Sequence, residues 1–395
     1  MKENIKQILR EGISHEVRFK LDIDLPQDII TIKDVFKKNG FKLYVVGGAV
    51  RDALLNKIPK DFDLATDAIP DKVEQMMAKA GFKTLPTGKA FGVINVFTSD
   101  GEYEIATFRN DRYEGDSSDG RRPDSVEFTN IEGDVSRRDL TINALFYDID
   151  TGEIVDLVGG IDDLKNGIIR TVGRPEDRFK EDKLRVMRTI RFAGRFGSEL
   201  DPATDAALKK DASLGGISGE RIRDEFIKGI KSAKSQKHFL EMLDKYHLFD
   251  WVFKGLNLDM NFVSRIGNYN YDDYIVLLAT LLKNNNLDIL KKKLNELKYS
   301  VEEIKAITFL IAMLKLDVDT AVALKKAEQH AGVSKDQIRN FCGKENMSSQ
   351  LLDAFEQFRL TVSGPEAMEI TGLPAGKELG QAIQQMETKN FEKLL

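Results

Sequence analysis

A chain of 395 residues, 42% apolar and 31% charged, is long enough to bury a sizeable core and to divide into roughly two to four lobes. Its formal charge of −5 argues against a protein that coats nucleic acid non-specifically, while leaving room for a local basic track on an acidic body. The longest apolar runs, 274–282 and 307–314, fall short of the ~20 residues of a membrane span, the first residues lack a secretory apolar core, and the lone Cys342 excludes an intramolecular disulfide, so no membrane partner and a cytoplasmic location are expected.

In chain order, residues 1–30 are polar with scattered apolar positions and read as an N-terminal extension ending at Leu25-Pro26. A helix is predicted over Ile29 to Asn39, then a short strand at Tyr44-Val45-Val46, a turn at Gly47-Gly48 and a helix through Val50-Arg51-Asp52. A second strand carries Lys60-Asp61-Phe62-Asp63-Leu64. On an extended strand Asp61 and Asp63 leave the same face, about 6.6 Å apart along the chain, and two hard carboxylates there suit magnesium. The paired glycines let backbone N–H groups approach an anion closely. Further strands are predicted at 92–97, 103–108 and 154–157, and the alternating run Glu102 to Arg109 around the second offers Glu102 and Glu104 on one face. Between them, 110–123 is too polar and glycine-rich for a rigid element and reads as a mobile loop, and Ser136 to Ala144 brings Arg137 and Arg138 beside Asp139. Adjacent arginines offer planar bidentate donors to a triphosphate or a sugar-phosphate chain.

From Gly173 onward strand signals fade and the 3.6-residue apolar period takes over, so the remainder is predicted to be almost entirely helical. In the run Arg178 to Phe192, read as helix, Asp182 and Arg185 are i, i+3 neighbours. An aspartate accepts from an exocyclic amino group and an arginine donates to ring or carbonyl acceptors, so such a pair suits the edges of cytosine and adenine. Arg188 lies nearer to Asp182 than Arg191 does, since at 100° per residue Arg191 falls on the opposite side of an ideal helix. Lys228, Lys231, Lys234 and Lys237, at helical spacing, and Lys291 to Lys293 are candidate basic patches, although each taken alone reads better as a solvated helix face. The four histidines show no metal-ligand spacing, which argues against zinc.

The segment Leu43 to Thr66, the run Glu104 to Arg109, the run Ser136 to Ala144 and the run Arg178 to Phe192 together resemble the class II tRNA nucleotidyltransferases, the bacterial CCA-adding enzymes and their poly(A) polymerase relatives. The resemblance covers 30–230 by specific motifs and the rest diffusely. It implies an α/β head of the nucleotidyltransferase, polymerase β-like type, followed by an all-α neck, body and tail. The boundaries expected are an extension at 1–30, a catalytic head at 31–158, a neck at 159–231, a body at 232–345 and a tail at 346–395. On this likeness Asp61 and Asp63 bind Mg²⁺ and Glu104, placed directly before the Ile-Ala-Thr-Phe-Arg run, completes the catalytic carboxylates. Gly47, Gly48, Arg51 and Arg138 hold the triphosphate, while Asp182, Arg185, Arg188 and Arg191 contact the base. Arg137 is a candidate RNA contact, as are Gly364, Gly372, Gly376 and Lys377 in a tail segment resembling one that grips the tRNA elbow. The implied reaction adds CMP, CMP and AMP to the 3′ end of tRNA from CTP and ATP, without a nucleic-acid template and with pyrophosphate release. An A-adding or CC-adding specialist, a poly(A) polymerase, and a non-catalytic tRNA-binding protein on the same scaffold remain alternatives.

Overall fold

The computed structural model describes residues 17–113, 124–266 and 271–395, so most of the expected mobile loop, 114–123, lies outside the described residues. The chain forms two compact units, 1–217 with 246–248, and 218–245 with 249–395. The residues expected as a neck therefore fall on both sides of the division after Ile217.

The first unit begins with β1 (Val17–Lys20), α1 (Gln27–Lys38), β2 (Leu43–Val46), α2 (Gly48–Leu54), β3 (Asp63–Thr66), α3 (Pro70–Lys79) and β4 (Lys83–Leu85). It continues through β5 (Val93–Phe97), β6 (Glu102–Thr107), β7 (Arg109–Arg112), β8 (Ser125–Phe128), α4 (Ile131–Ser136), β9 (Leu145–Asp148) and β10 (Glu153–Asp156). Then come α5 (Gly160–Asn166), β11 (Ile168–Ile169), α6 (Pro175–Glu181), α7 (Leu184–Phe196), β12 (Glu199–Leu200) and α8 (Pro202–Lys210). Eight strands make one sheet in the order β1-β10-β9-β2-β3-β6-β5-β4. Within it only β3 and β6 run parallel. Residues 17–20, expected in an extension, are an edge strand of this sheet, paired with β10. Asn110 to Arg112, expected in the loop, belong to β7 and pair with β8.

Both faces of the sheet are covered, which is why Leu43, Tyr44, Val45 and Val46 are all buried rather than alternately so. Val45, Leu64 and Ile105 pack with Ile29, Ile32 and Phe36 of α1. Tyr44, Val46 and Ala65 point the other way, onto Phe108, Val135 and Phe146. There the rings of Tyr44, Phe108 and Phe146 meet with centroids 5.6, 6.2 and 5.9 Å apart. Asp156 closes β10 by accepting from the amides of Val158, Gly159, Gly160 and Ile161 at 2.8 to 3.1 Å, and so fixes the entry to α5. Pro70 and Pro202 sit at the first helical position of α3 and α8, where a missing N–H costs no bond.

The second unit is built of helices, with no strand among its described residues. Its apolar runs become the buried helices Tyr274–Leu282 and Val301–Met313. Gly229 in the helix Gly219–Ser232 leaves room for the Phe239 ring, which a Cβ would meet at 2.2 Å. Among the described residues no helix is long and apolar enough to cross a membrane.

Candidate active site

The pleat that divides the two cores also aims the carboxylates. In β3 and β6 the register pairs Leu64 with Ile105, so Asp63 and Glu104, one position earlier on each strand, are neighbours. Both side with Ala65 and Ala106 rather than with the buried Leu64 and Ile105, and both are exposed. Glu102, two residues away on the same face, instead accepts from the Asn95 amide. Asp61 lies in the irregular lead-in to β3, not on the strand as expected. It nevertheless stands close enough for its charge to act on Asp63, whose carboxyl is raised above its usual value, first by desolvation and further by Asp61, against the pull of Arg138. Two hard carboxylates, one destabilised as an anion by the other, fit magnesium, which ordinarily takes one or two carboxylates and completes its shell with water and substrate phosphate. Among the described residues no group of three or more His, Cys, Asp or Glu is arranged to hold a cation unaided.

Next to β3, β2 is followed by Gly47, whose φ of +68° favours glycine, and α2 starts at Gly48. A Cβ on Gly47 would lie 3.5 Å from Arg138 Nη1. Arg138 rests over the Phe146 ring, 4.6 Å from its centroid, and donates to Asp134 from Nε and Nη2 at 3.1 and 3.0 Å. Asp134 also accepts from Arg137 Nε at 2.8 Å. Burial alone would raise Asp134, yet the charges of Arg138 and Arg137 overcome it and hold the carboxyl below its usual value. Arg51, expected on the triphosphate, is only 3% exposed. Its Nε and Nη2 donate to Asp52, its Nη1 donates to Asn143 Oδ1 at 2.5 Å, and its guanidinium lies 5.2 and 5.4 Å from the rings of Phe192 and Phe196.

The expected single helix across Arg178 to Phe192 is broken. Asp182, with φ −143° and ψ 105°, is extended between α6 and α7, and its Oδ1 accepts from the Leu184 amide at 2.9 Å. The i, i+3 helical neighbourhood of Asp182 and Arg185 is therefore replaced by an extended residue that ends α6 and whose side chain bonds two residues ahead, at the first residue of α7. Arg185 donates from Nη1 to Glu181 at 2.6 Å and from Nη2 to the Arg137 carbonyl at 2.9 Å, tying α7 to the arginine pair. Arg188 Nε and Nη2 both stand 2.7 Å from Asp139 Oδ2. Burial would raise Asp139, but Arg188, by charge and hydrogen bond, brings it down to about 2. Arg191 lies against Phe192, 4.2 Å from the ring centroid.

Thus Asp61, Asp63, Glu104, Gly47, Gly48, Arg51, Arg137, Arg138, Asp182, Arg185, Arg188 and Arg191 all belong to the first unit. The sequence reading missed Asp134 and Asn143. Asp134 stands three and four residues before the two arginines, a spacing that marks helical ion pairs. Asn143 carried no such local sign.

Residues 43–170 match the family model described as the Poly A polymerase head domain, and 197–260 the one described as the probable RNA and SrmB-binding site of polymerase A. The CCA-adding enzyme of Bacillus subtilis is 33% identical over 365 residues, 88% of this chain and 89% of its own. That of Ligilactobacillus salivarius is 32% identical over 380 residues, 91% of this chain and 90% of its own. The chain belongs to the CCA-adding enzyme family. The solved CCA-adding enzyme of Bacillus stearothermophilus in complex with CTP is similar with a TM-score of 0.71 at 27% identity, over 93% of each chain. At 21% identity the Thermotoga maritima CCA-adding enzyme complexed with tRNA shares the fold, with a TM-score of 0.66.

In this CCA-adding family member the tail candidates belong to the second unit. Gly364 opens the helix Gly364–Thr371 behind the Ser363 capping box, Gly372 ends it at φ +70°, and Gly376 precedes Lys377 at the start of the helix Lys377–Glu392. A Cβ on any of the three glycines would meet nothing within 4 Å, and the Gly372 amide donates to the Met368 carbonyl at 2.8 Å. The lysine stripe is not continuous: Lys228 and Lys231 are on the helix Gly219–Ser232, Lys237 is on Gln236–Lys245, and Lys234 falls between. Lys231 lies 4.2 Å from the Tyr274 ring centroid.

Proposed function

We propose that this member of the CCA-adding enzyme family extends the 3′ end of tRNA by CMP, CMP and AMP, taking them from CTP and ATP and releasing pyrophosphate. The observation that carries the reading is the likeness, over about nine-tenths of the chain, to relatives named for this activity. A site built of paired carboxylates, a glycine turn and buried arginines supports the chemistry.

In this reading Asp61 and Asp63 hold magnesium, with Glu104 beside them as the third carboxylate. The chemistry that magnesium supplies when bound is a lower pKa of the attacking hydroxyl and neutralisation of the departing pyrophosphate. Gly47 and Gly48 offer backbone N–H groups to the triphosphate, and Arg138, held flat on Phe146 and braced by Asp134, donates to its oxygens. Arg51, its donors already engaged, holds the turn from beneath, a role altered from direct contact. Asp182, Arg185 and Arg188 read the base edge, with Arg191 behind them, Arg137 and the tail residues Gly364, Gly372, Gly376 and Lys377 contact tRNA, and the cytoplasm is the setting. Cytosine and adenine share an exocyclic amino group that a carboxylate accepts from, and neither uracil nor guanine presents it at that edge.

The test uses three tRNA transcripts, ending at the discriminator base, after C and after CC, each with Mg²⁺ and CTP, ATP or both. Full CCA on the first is expected. One A added to the CC-ended transcript alone would make the protein an A-adding specialist, a stop at CC a CC-adding one, and a long adenosine ladder a poly(A) polymerase. No extension anywhere, with tRNA still bound, would leave a binding protein.

A further inference from the structure

Asn143 precedes β9 by two residues, closing the short turn Thr141–Asn143, and is 7% exposed. Its side chain and carbonyl reach three different parts of the site. The Oδ1 accepts from Arg51 Nη1 at 2.5 Å. The Nδ2 donates to Asp139 Oδ1 at 3.2 Å. The main-chain carbonyl accepts from Arg138 Nη1 at 3.3 Å, and a Cβ on Gly47 would come within 3.6 Å of the same oxygen. The orientation of the amide is dictated by its neighbours, because a guanidinium has only donors and a carboxylate only acceptors. Leucine or alanine offers neither bond, aspartate only the first, and lysine only the second.

Asp139 in turn carries Arg188 on its other oxygen, so one buried amide joins the residues beneath the glycine turn to those at the base edge. We propose that Asn143 is a positioning residue that couples triphosphate binding to base selection, acting on the base through Asp139 and Arg188 and on the triphosphate through Arg51 and Arg138. The proposal rests on the CCA-adding reading above. Its two arms are separable. Asn143→Asp keeps the acceptor for Arg51 but sets a second carboxylate against Asp139, which loosens the hold on Arg188. Asn143→Ala removes both side-chain bonds and introduces no charge.

The experiment measures single-nucleotide addition to transcripts ending at the discriminator base and after CC, with each of the four nucleoside triphosphates, for wild type and both variants alongside their thermal melts. For Asn143→Asp we expect incorporation of UTP or GTP relative to CTP and ATP to rise at least tenfold, while KM for CTP stays within about threefold. For Asn143→Ala we expect the same loss of selectivity together with a rise in KM of tenfold or more. A residue that merely stabilises the fold would lower the melting temperature and leave the selectivity ratio unmoved. An unchanged ratio in the variants against an active wild type overturns the proposal, and if Asn143→Asp does not fold, the ratio in Asn143→Ala decides it alone. Raised KM with intact selectivity in Asn143→Asp also overturns it. A wild type that extends no transcript overturns the functional reading itself, and with it this one.

Discussion

Asp63 stands where a strand register, a like charge and an arginine converge, and its replacement isolates the chemistry from the fold. Asp63 belongs to neither apolar cluster of the sheet, so Asp63→Ala removes no core packing. It is expected to abolish incorporation in gel extension assays while leaving tRNA affinity by filter binding within about twofold, and near-normal turnover would sink the carboxylate assignment. Asp139 offers a test by pH. Its folded value of about 2 lies below the usual 3.8, so it contributes stability, roughly 2 kcal/mol in all, that is complete above about pH 5 and is lost as pH falls through about 2. Asp139→Asn is therefore expected to flatten the stability curve between about pH 4 and about pH 2.5 in urea melts, and an unaltered acid limb would contradict the Arg188 tether. The placing of Asp63 on a strand beside a glycine turn was legible in the sequence, because both are local signs, whereas the period-two pairing with Asp61 failed where the chain is irregular before β3. Asn143 was not legible, because its decisive partner Arg51 is 92 positions away along the chain.

Elements followed the sequence where local chemistry ruled and departed where pairing did. β7 is polar throughout, yet it forms because β8 lies beside it, with Arg112 bonded across to Glu127. The break at Asp182 carries no glycine or proline, and its only sign was the aspartate itself, a residue that prefers helix caps to helix interiors. Packing between elements also fixes residues that periodicity cannot. A Cβ on Gly160, at the start of α5, would fall 2.2 Å from the Thr141 carbonyl oxygen, which is backbone and has no rotamer to escape by. Gly160→Ala is expected to cost about 1–3 kcal/mol in chemical denaturation. Gly101→Ala, where the added Cβ meets nothing within 4 Å, is the control and should melt as wild type does.

At the scale of the whole molecule, a chain of net charge −5 that binds a polyanion must do so through a restricted basic surface. Raising salt from about 50 to about 300 mM is expected to weaken tRNA binding by at least about tenfold through counterion release, and a flat salt response would argue against phosphate contacts. The change from an α/β head to a helical remainder was plain in the shift of apolar period near Gly173. The grouping of 246–248 with the first unit was not, since it depends on neighbours distant in sequence. The sheet buried on both sides has one more consequence, for what this gene can tolerate. One residue inserted between Asp63 and Leu64, with Leu64 to Thr66 held in register, would turn the Asp63 carboxylate toward Ile29, Ile32 and Phe36, a dry interior in which an unpaired charge is costly. In β3, spacing is therefore expected to matter more than identity: Leu64→Val keeps an apolar side chain in the core, whereas one inserted residue reverses the face of the carboxylate.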